Sequence, residues 1–126
     1  MIRLKPEHTH SDHRRTLTQL FTFDNYKQMN HYEINNNQNV GGHYHRKTRE
    51  FFLITKGRFR VKWMVIPYMP GDKFQSCLVK RGDMFIFEPY VYHQLHSITK
   101  GAFITMLSIP FDKDNLDIYT DAFNGD

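Results

Sequence analysis

Four residues in this sequence have the types and spacing to do chemistry together: His43, His45, Glu50 and His93. His43 and His45 are two apart, so on a β-strand their imidazoles share a face, as two ligands of one ion must. Arg46-Lys47-Thr48 can turn the chain and bring the Glu50 carboxylate beside them on a neighbouring strand. His93 follows Pro89 on a later strand. Three imidazoles and one carboxylate suit a divalent transition metal, zinc first and Fe, Mn, Ni, Co or Cu after it, better than Mg or Ca. Three or four protein ligands leave positions open for water or substrate, the mark of a catalytic site. If no metal is bound, His43 and His45 are the acid–base candidates, although a carboxylate beside two imidazoles attracts a cation.

The remaining candidates carry less. His8, His10 and His13 lie in a polar N-terminal segment, residues 1–13, expected to be solvated and mobile. His31 reads as a strand or barrel-surface residue. His96 is three beyond His93 and therefore faces away from it. Tyr44 alternates with the histidines and points away from any ion they hold, so the catalytic base stays unassigned. Arg60 and Lys62 could meet a diphosphate if their strand face lines a barrel mouth; otherwise that face is solvated.

Short strands must position these groups. The pattern predicts strands over Leu17–Phe23, Met29–Ile34, Arg49–Thr55, Arg58–Ile66, Phe74–Val79, Met84–Phe87, Val91–Ser97 and Ala102–Ile109. On Arg58–Ile66, Phe59, Val61, Trp63 and Val65 share one face and Arg58, Arg60 and Lys62 the other. Asn35–Asn39, Lys56-Gly57, Pro67–Asp72, Arg81-Gly82-Asp83 and Thr99-Lys100-Gly101 read as loops or turns. The last two predict hairpins. A short helical piece is expected near Asn115–Tyr119. Many short strands punctuated by turns mean a sandwich or barrel, and a small barrel encloses one ligand site.

Composition agrees. The chain has 126 residues, 40% hydrophobic, 15% aromatic and 24% charged, enough for one core and one domain over 1–126. A net charge of +4 is scattered, with no dense basic helix, so nucleic acid is not the expected partner. No apolar run approaches a membrane span and the N-terminal residues lack a signal-peptide pattern. One cysteine, Cys77, excludes an internal disulfide framework, and its expected place is an inert strand position. Together these features point to the cytoplasm.

The residues from His43 through Gly57 resemble the first cupin motif, G-x5-H-x-H-x(3,4)-E-x6-G, with Asn37 in the position of its opening glycine. Gly82, Pro89 and His93 resemble the second, G-x5-P-x-G-x2-H-x3-N, without its internal glycine and with Ser97 for the asparagine. Three further stretches are similar to small cupins of sugar-nucleotide metabolism. Ser11–Leu17 resembles their D-x-R-G-x-L/F opening, with Arg15 for the glycine. Gly42–His45 resembles the G-N-H-Y-H of capsule-polysaccharide epimerase domains, and Phe111–Asp117 resembles their F-D-P-D-N-P-D ending. The resemblance implies an all-β, single-domain cupin, a double-stranded β-helix or jelly-roll barrel, commonly a homodimer. Those epimerase domains bind zinc and act on a 4-keto sugar of a nucleoside diphosphate. The related nucleotide-sugar ketoisomerases carry G-G-H-x-H, use the histidines as acid and base, and usually have Gln where this chain has Glu50.

The leading expectation is thus a metal-dependent epimerase or ketoisomerase moving a proton α to the carbonyl of a nucleotide sugar. The alternatives are an iron-dependent cupin dioxygenase and a non-enzymatic small-molecule binding cupin.

Overall fold

In β7 (Arg58–Val65), Phe59 and Val61 are buried and Arg58 and Arg60 exposed, the period of a strand with one apolar face; that period breaks at the strand's end, where Met64 is buried and Val65, expected on the apolar face, is exposed. The computed structural model describes residues 1–120. Before β7 come β1 (Ile2–Leu4), β2 (His8–Ser11), β3 (Thr16–Gln19), β4 (Gln28–Ile34), β5 (Asn39–His43) and β6 (Glu50–Lys56); after it come β8 (Gln75–Lys80), β9 (Met84–Phe87), β10 (Val91–Ser97) and β11 (Gly101–Leu107). No helix forms among the described residues.

All pairings are antiparallel. A five-stranded sheet has the order β1-β9-β6-β11-β4, a four-stranded sheet the order β5-β10-β7-β8, and β2-β3 stands apart as a two-stranded ribbon. The main core lies between the two large sheets, where Phe52, Ile54, Phe59, Val61, Phe85, Phe87, Leu95 and Phe103 interdigitate. β9 is buried at all four positions, as an unbroken apolar run requires. Its Phe85 and Phe87 join that core, while Met84 and Ile86 pack on the outer side with Phe51, Leu20, Phe21 and Tyr26.

From β4 to β11 the strands alternate between the two sheets, apart from β7 and β8, which pair with each other. The two hairpins expected from the sequence are therefore crossings. β8 and β9 lie in different sheets, and so do β10 and β11. A turn signal says where the chain reverses; which sheet receives the next strand is decided by burying apolar faces across the barrel. Gly57 makes one such crossing at φ +77°, where a Cβ would lie 2.5 Å from the Lys100 carbonyl oxygen and 2.8 Å from the Gly101 Cα.

Three other expectations are corrected. The N-terminal segment is not loose: β1 pairs with β9 and β2 with β3, although His8, His10 and His13 are exposed as expected. The strand expected over Leu17–Phe23 ends at Gln19, because Leu20 and Phe21 leave it to cover the outer apolar face of the five-stranded sheet. The piece near Asn115–Tyr119 is irregular and ends in a bridge between Tyr119 and Tyr44. Cys77 is a half-buried residue of β8 against the core edge.

Candidate metal centre

Two successive glycines aim the first histidine. Gly41 and Gly42 have φ +82° and +81°, and the β5–β10 register shifts so that His93 faces His43 while Gln94 faces Gly41. This is a β-bulge, which bends the strand and redirects a side chain. Gly41 runs so close to β10 that a Cβ would sit 3.0 Å from the His93 carbonyl oxygen. His45 lies just past the strand, with Tyr44 between the two histidines fully buried beside Tyr90 and Tyr119, facing away as expected. Glu50 opens β6 on the same inner face as Phe52 and Ile54.

The structure brings the four residues together. One donor atom from each of His43, His45, Glu50 and His93 lies within 4.8 Å of the others. The ring centroids of His43 are 5.0 Å from those of both His45 and His93. His45 Nε2 is 3.1 Å and His93 Nε2 3.3 Å from the same Glu50 Oε1. Donors about 2.1 Å from one ion sit at most about 4.2 Å apart, so the set needs to close by only about half an ångström.

The second ring nitrogens fix the tautomers. His93 Nδ1 donates to the Val91 carbonyl at 2.9 Å, and Phe87 stacks on the ring at 4.5 Å with a 6° interplanar angle. The lone pair is then on Nε2, which is buried without a hydrogen-bond partner and faces the Glu50 oxygen. In a neutral ring that lone pair would meet the Glu50 oxygen, so a cation between them, a proton or a metal ion, is what lets the two atoms sit this close. His45 Nδ1 donates to the Asp117 carbonyl at 2.7 Å while Nε2 meets Glu50. A carbonyl oxygen and a carboxylate can both be served only by the imidazolium; a metal at Nε2 would displace that proton. The donor set, its closeness and the orphaned His93 nitrogen all fit a transition-metal ion.

Electrostatics follows the same pattern. Burial, with His93 and His45 beside it, pushes the His43 pKa down to about 4. Burial opposes charge on Glu50, yet the hydrogen bond from His45 and the nearness of His93 hold its carboxyl at about 2. Burial also opposes charge on His45, but Glu50 and the Asp117 carbonyl raise its pKa.

His43, His45 and Glu50 line a cavity of about 930 Å³, together with residues 28–32 of β4 and parts of the 109–118 segment. His93 lies on the inner side, where with His43 and Glu50 it lines a smaller space of about 60 Å³ reaching Phe52, Leu95 and Phe103. Arg60 and Lys62 are elsewhere. They project from the outer face of β7, opposite Phe59 and Val61; Arg60 is exposed and Lys62 lies 4.7 Å over the Phe74 ring. No lysine or arginine lines the larger cavity among the described residues. His96 bonds Asn39 through Nδ1 at 2.8 Å, away from the cluster.

Several residues escape sequence reasoning. Asn30, His31 and Tyr32 line the cavity from an edge strand whose pattern says only that it is a strand. Ser97, in place of the motif asparagine, is fully buried; its hydroxyl donates to the Asn35 carbonyl and accepts from the Gln38 amide, clamping the 35–38 loop. Asp117 accepts hydrogen bonds from the Arg46, Lys47 and Thr48 amides and the Thr48 hydroxyl. Its only signal was its place in the F-D-x-D-N-x-D ending.

No protein-family model and no curated protein matches the sequence. Solved structures do. CapF, a capsular polysaccharide assembling protein from Staphylococcus aureus, superposes with a TM-score of 0.69 at 16% identity, over 88% of this chain and 31% of that one. QdtA, a sugar 3,4-ketoisomerase from Thermoanaerobacterium thermosaccharolyticum in complex with TDP, gives 0.73 at 15% identity, over 94% and 85%. A 3,4-ketoisomerase from Helicobacter canadensis gives 0.74 at 12% identity, over 98% and 92%. The chain thus spans about a third of CapF and most of the ketoisomerases. At these identities the likeness is one of fold, and the antiparallel jelly-roll barrel described above is the cupin fold.

Proposed function

We propose that this protein is a metal-dependent cupin enzyme that isomerises or epimerises the keto-hexose of a nucleotide sugar. The observation that carries the reading is the convergence of His43, His45, Glu50 and His93, with an orphaned His93 Nε2, beside a cavity large enough for a sugar. These four side chains would hold one divalent transition metal, zinc first. When bound, such an ion polarises a carbonyl oxygen and stabilises negative charge on it. Among the described residues the cavity wall has no lysine or arginine, so it suits the neutral hexose, with the diphosphate left outside. Asn30 supplies an amide for sugar hydroxyls. Tyr32, on the same face of β4 as Asn30, is a wall residue able to carry a proton, whereas its neighbour His31 alternates to the other face; burial raises the Tyr32 pKa, which suits it to donate rather than to ionise. The same reading has the protein acting in the cytoplasm as a homodimer. No helix among the described residues is long and apolar enough to cross a membrane.

A second reading rests on the opposite shifts of two neighbouring imidazoles, His43 pushed down to about 4 by burial and His45 raised by Glu50 and the Asp117 carbonyl. Two groups pushed apart in this way can serve as base and acid with no metal. Metal analysis of protein purified without added metal, with thermal shifts by TDP and TDP-sugars, separates the cases. About one equivalent of zinc and stabilisation by a TDP-sugar support the first reading. Stabilisation without metal supports the second. Iron with oxygen consumption marks a dioxygenase, and no response to any nucleotide refutes the sugar-nucleotide assignment.

A further inference from the structure

The loop joining the two halves of the cluster runs from His45 to Glu50 through Arg46, Lys47 and Thr48. Nothing in a strand ladder holds it. The amides of Arg46, Lys47 and Thr48 all point to one carboxylate, that of Asp117, at 2.9 Å each, and the Thr48 hydroxyl adds a fourth bond at 2.8 Å, while the amide of Arg49, the last loop residue, donates to the Ser108 hydroxyl at 2.8 Å. The Asp117 backbone carbonyl takes the Nδ1 proton of His45 at 2.7 Å. Two residues on, Tyr119 exchanges both backbone hydrogen bonds with Tyr44 at 3.0 Å, and the Arg46 guanidinium lies 3.9 Å over the Tyr119 ring. The same segment supplies Phe111, Asp112, Asn115 and Ile118 to the cavity wall.

We infer that Asp117 is a positioning residue for the candidate metal centre, and that through it the 109–119 strap links the cavity wall to the placement of His45 and Glu50. A carboxylate accepting four hydrogen bonds fixes three consecutive backbone units, and with Ser108 holding Arg49 on both backbone groups they set the angle at which Glu50 enters β6. The strap carbonyl selects the His45 tautomer that leaves Nε2 for the ion, the part an outer partner plays for a metal-bound histidine. The link runs both ways: an ion that fixes His45 also tightens the strap. The inference rests on the metal reading for its effect on affinity and stands apart from it for the ordering of the loop.

The test uses the whole chain with Thr48→Val, Asp117→Asn and Asp117→Ala, in two arms. In metal-free protein, amide exchange at residues 46–48 and the imidazole ¹⁵N signals of His45 are followed by NMR. Exchange there rises more than tenfold in Asp117→Asn, less in Thr48→Val, and the protected His45 Nδ1–H signal is lost, while β10 and β11 amides stay protected. In the second arm, Co²⁺ is titrated and trypsin cleavage after the exposed Lys113 is timed. Co²⁺ affinity falls about 10–100-fold in Asp117→Asn with an altered ligand-field spectrum. Co²⁺ slows cleavage after Lys113 in the wild type only. Should Asp117→Ala not fold, the two milder variants decide. Unchanged exchange at 46–48 and an unchanged His45 Nδ1–H signal overturn the inference. Wild-type protein that takes up no Co²⁺ overturns the metal reading instead, and the first arm still decides this one.

Discussion

Glu50→Gln keeps the shape of a buried side chain and removes its charge. In the folded protein the carboxyl is held at about 2 against an ordinary 4.5. Each unit of such a difference corresponds to about 1.36 kcal/mol, so the fold favours the ionised form by roughly 3 kcal/mol. Glutamine stands in for the protonated acid, and the metal-free variant is therefore expected to lose about 3 kcal/mol at pH 7. For a domain of this size that is about 10 °C in Tm. The sign with pH is fixed. Because the folded value lies below the unfolded one, the contribution is complete above pH 4.5 and is lost as pH falls towards 2. Urea melts of wild type and Glu50→Gln in chelator, at pH 7 and pH 3, should show a gap that narrows to under half at the lower pH. Burial, with His93 and His45 beside it, pushes His43 down to about 4, so its neutral form also weakens the fold as pH falls below 6.5, and more so in the variant, which lacks the Glu50 charge that raises it. Equal stability at pH 7, or a gap of constant size, would refute the view that Glu50 is held as a carboxylate by His45 and His93. Adding zinc should then stabilise the wild type far more than the variant, since the variant lacks one anionic ligand.

Three further perturbations probe the positions of other groups. Arg60→Ala with Lys62→Ala should leave stabilisation by TDP-sugars within about twofold, because both side chains leave the outer face of β7; a tenfold loss in a thermal-shift titration would put that face back in the binding site. Gly57→Ala should cost about 2 kcal/mol or more by urea melt, from positive φ and a Cβ 2.5 Å from the Lys100 carbonyl, with metal stoichiometry unchanged. Phe87→Leu should cost about 1 kcal/mol and weaken Co²⁺ binding several-fold, since the ring stacked at 4.5 Å steadies His93; an unaltered Co²⁺ spectrum would count against that support.

The sequence alone determined the type and place of most strands and the members of the cluster. β9 and β10 lie where the apolar run Met84–Phe87 and the alternation of Val91–Ser97 put them. His43 and His45 share a face because period-two alternation is a local property, while Glu50 and His93 join them only when β6 and β10 come together from the two sheets. Tertiary structure decided the rest. Arg81–Asp83 and Thr99–Gly101 look like hairpin turns in isolation, yet each carries the chain to the opposite sheet. Burial across the barrel, between residues far apart in sequence, sets that choice. Arg60 and Lys62 had a face but no neighbour until the sheets closed, and closure put them outside. Asn30, Tyr32 and Asp117 became part of the site only when an edge strand and a C-terminal strap came together over the cluster. A wall built from distant segments leaves no spacing in any one of them, so only the folded chain could reveal it.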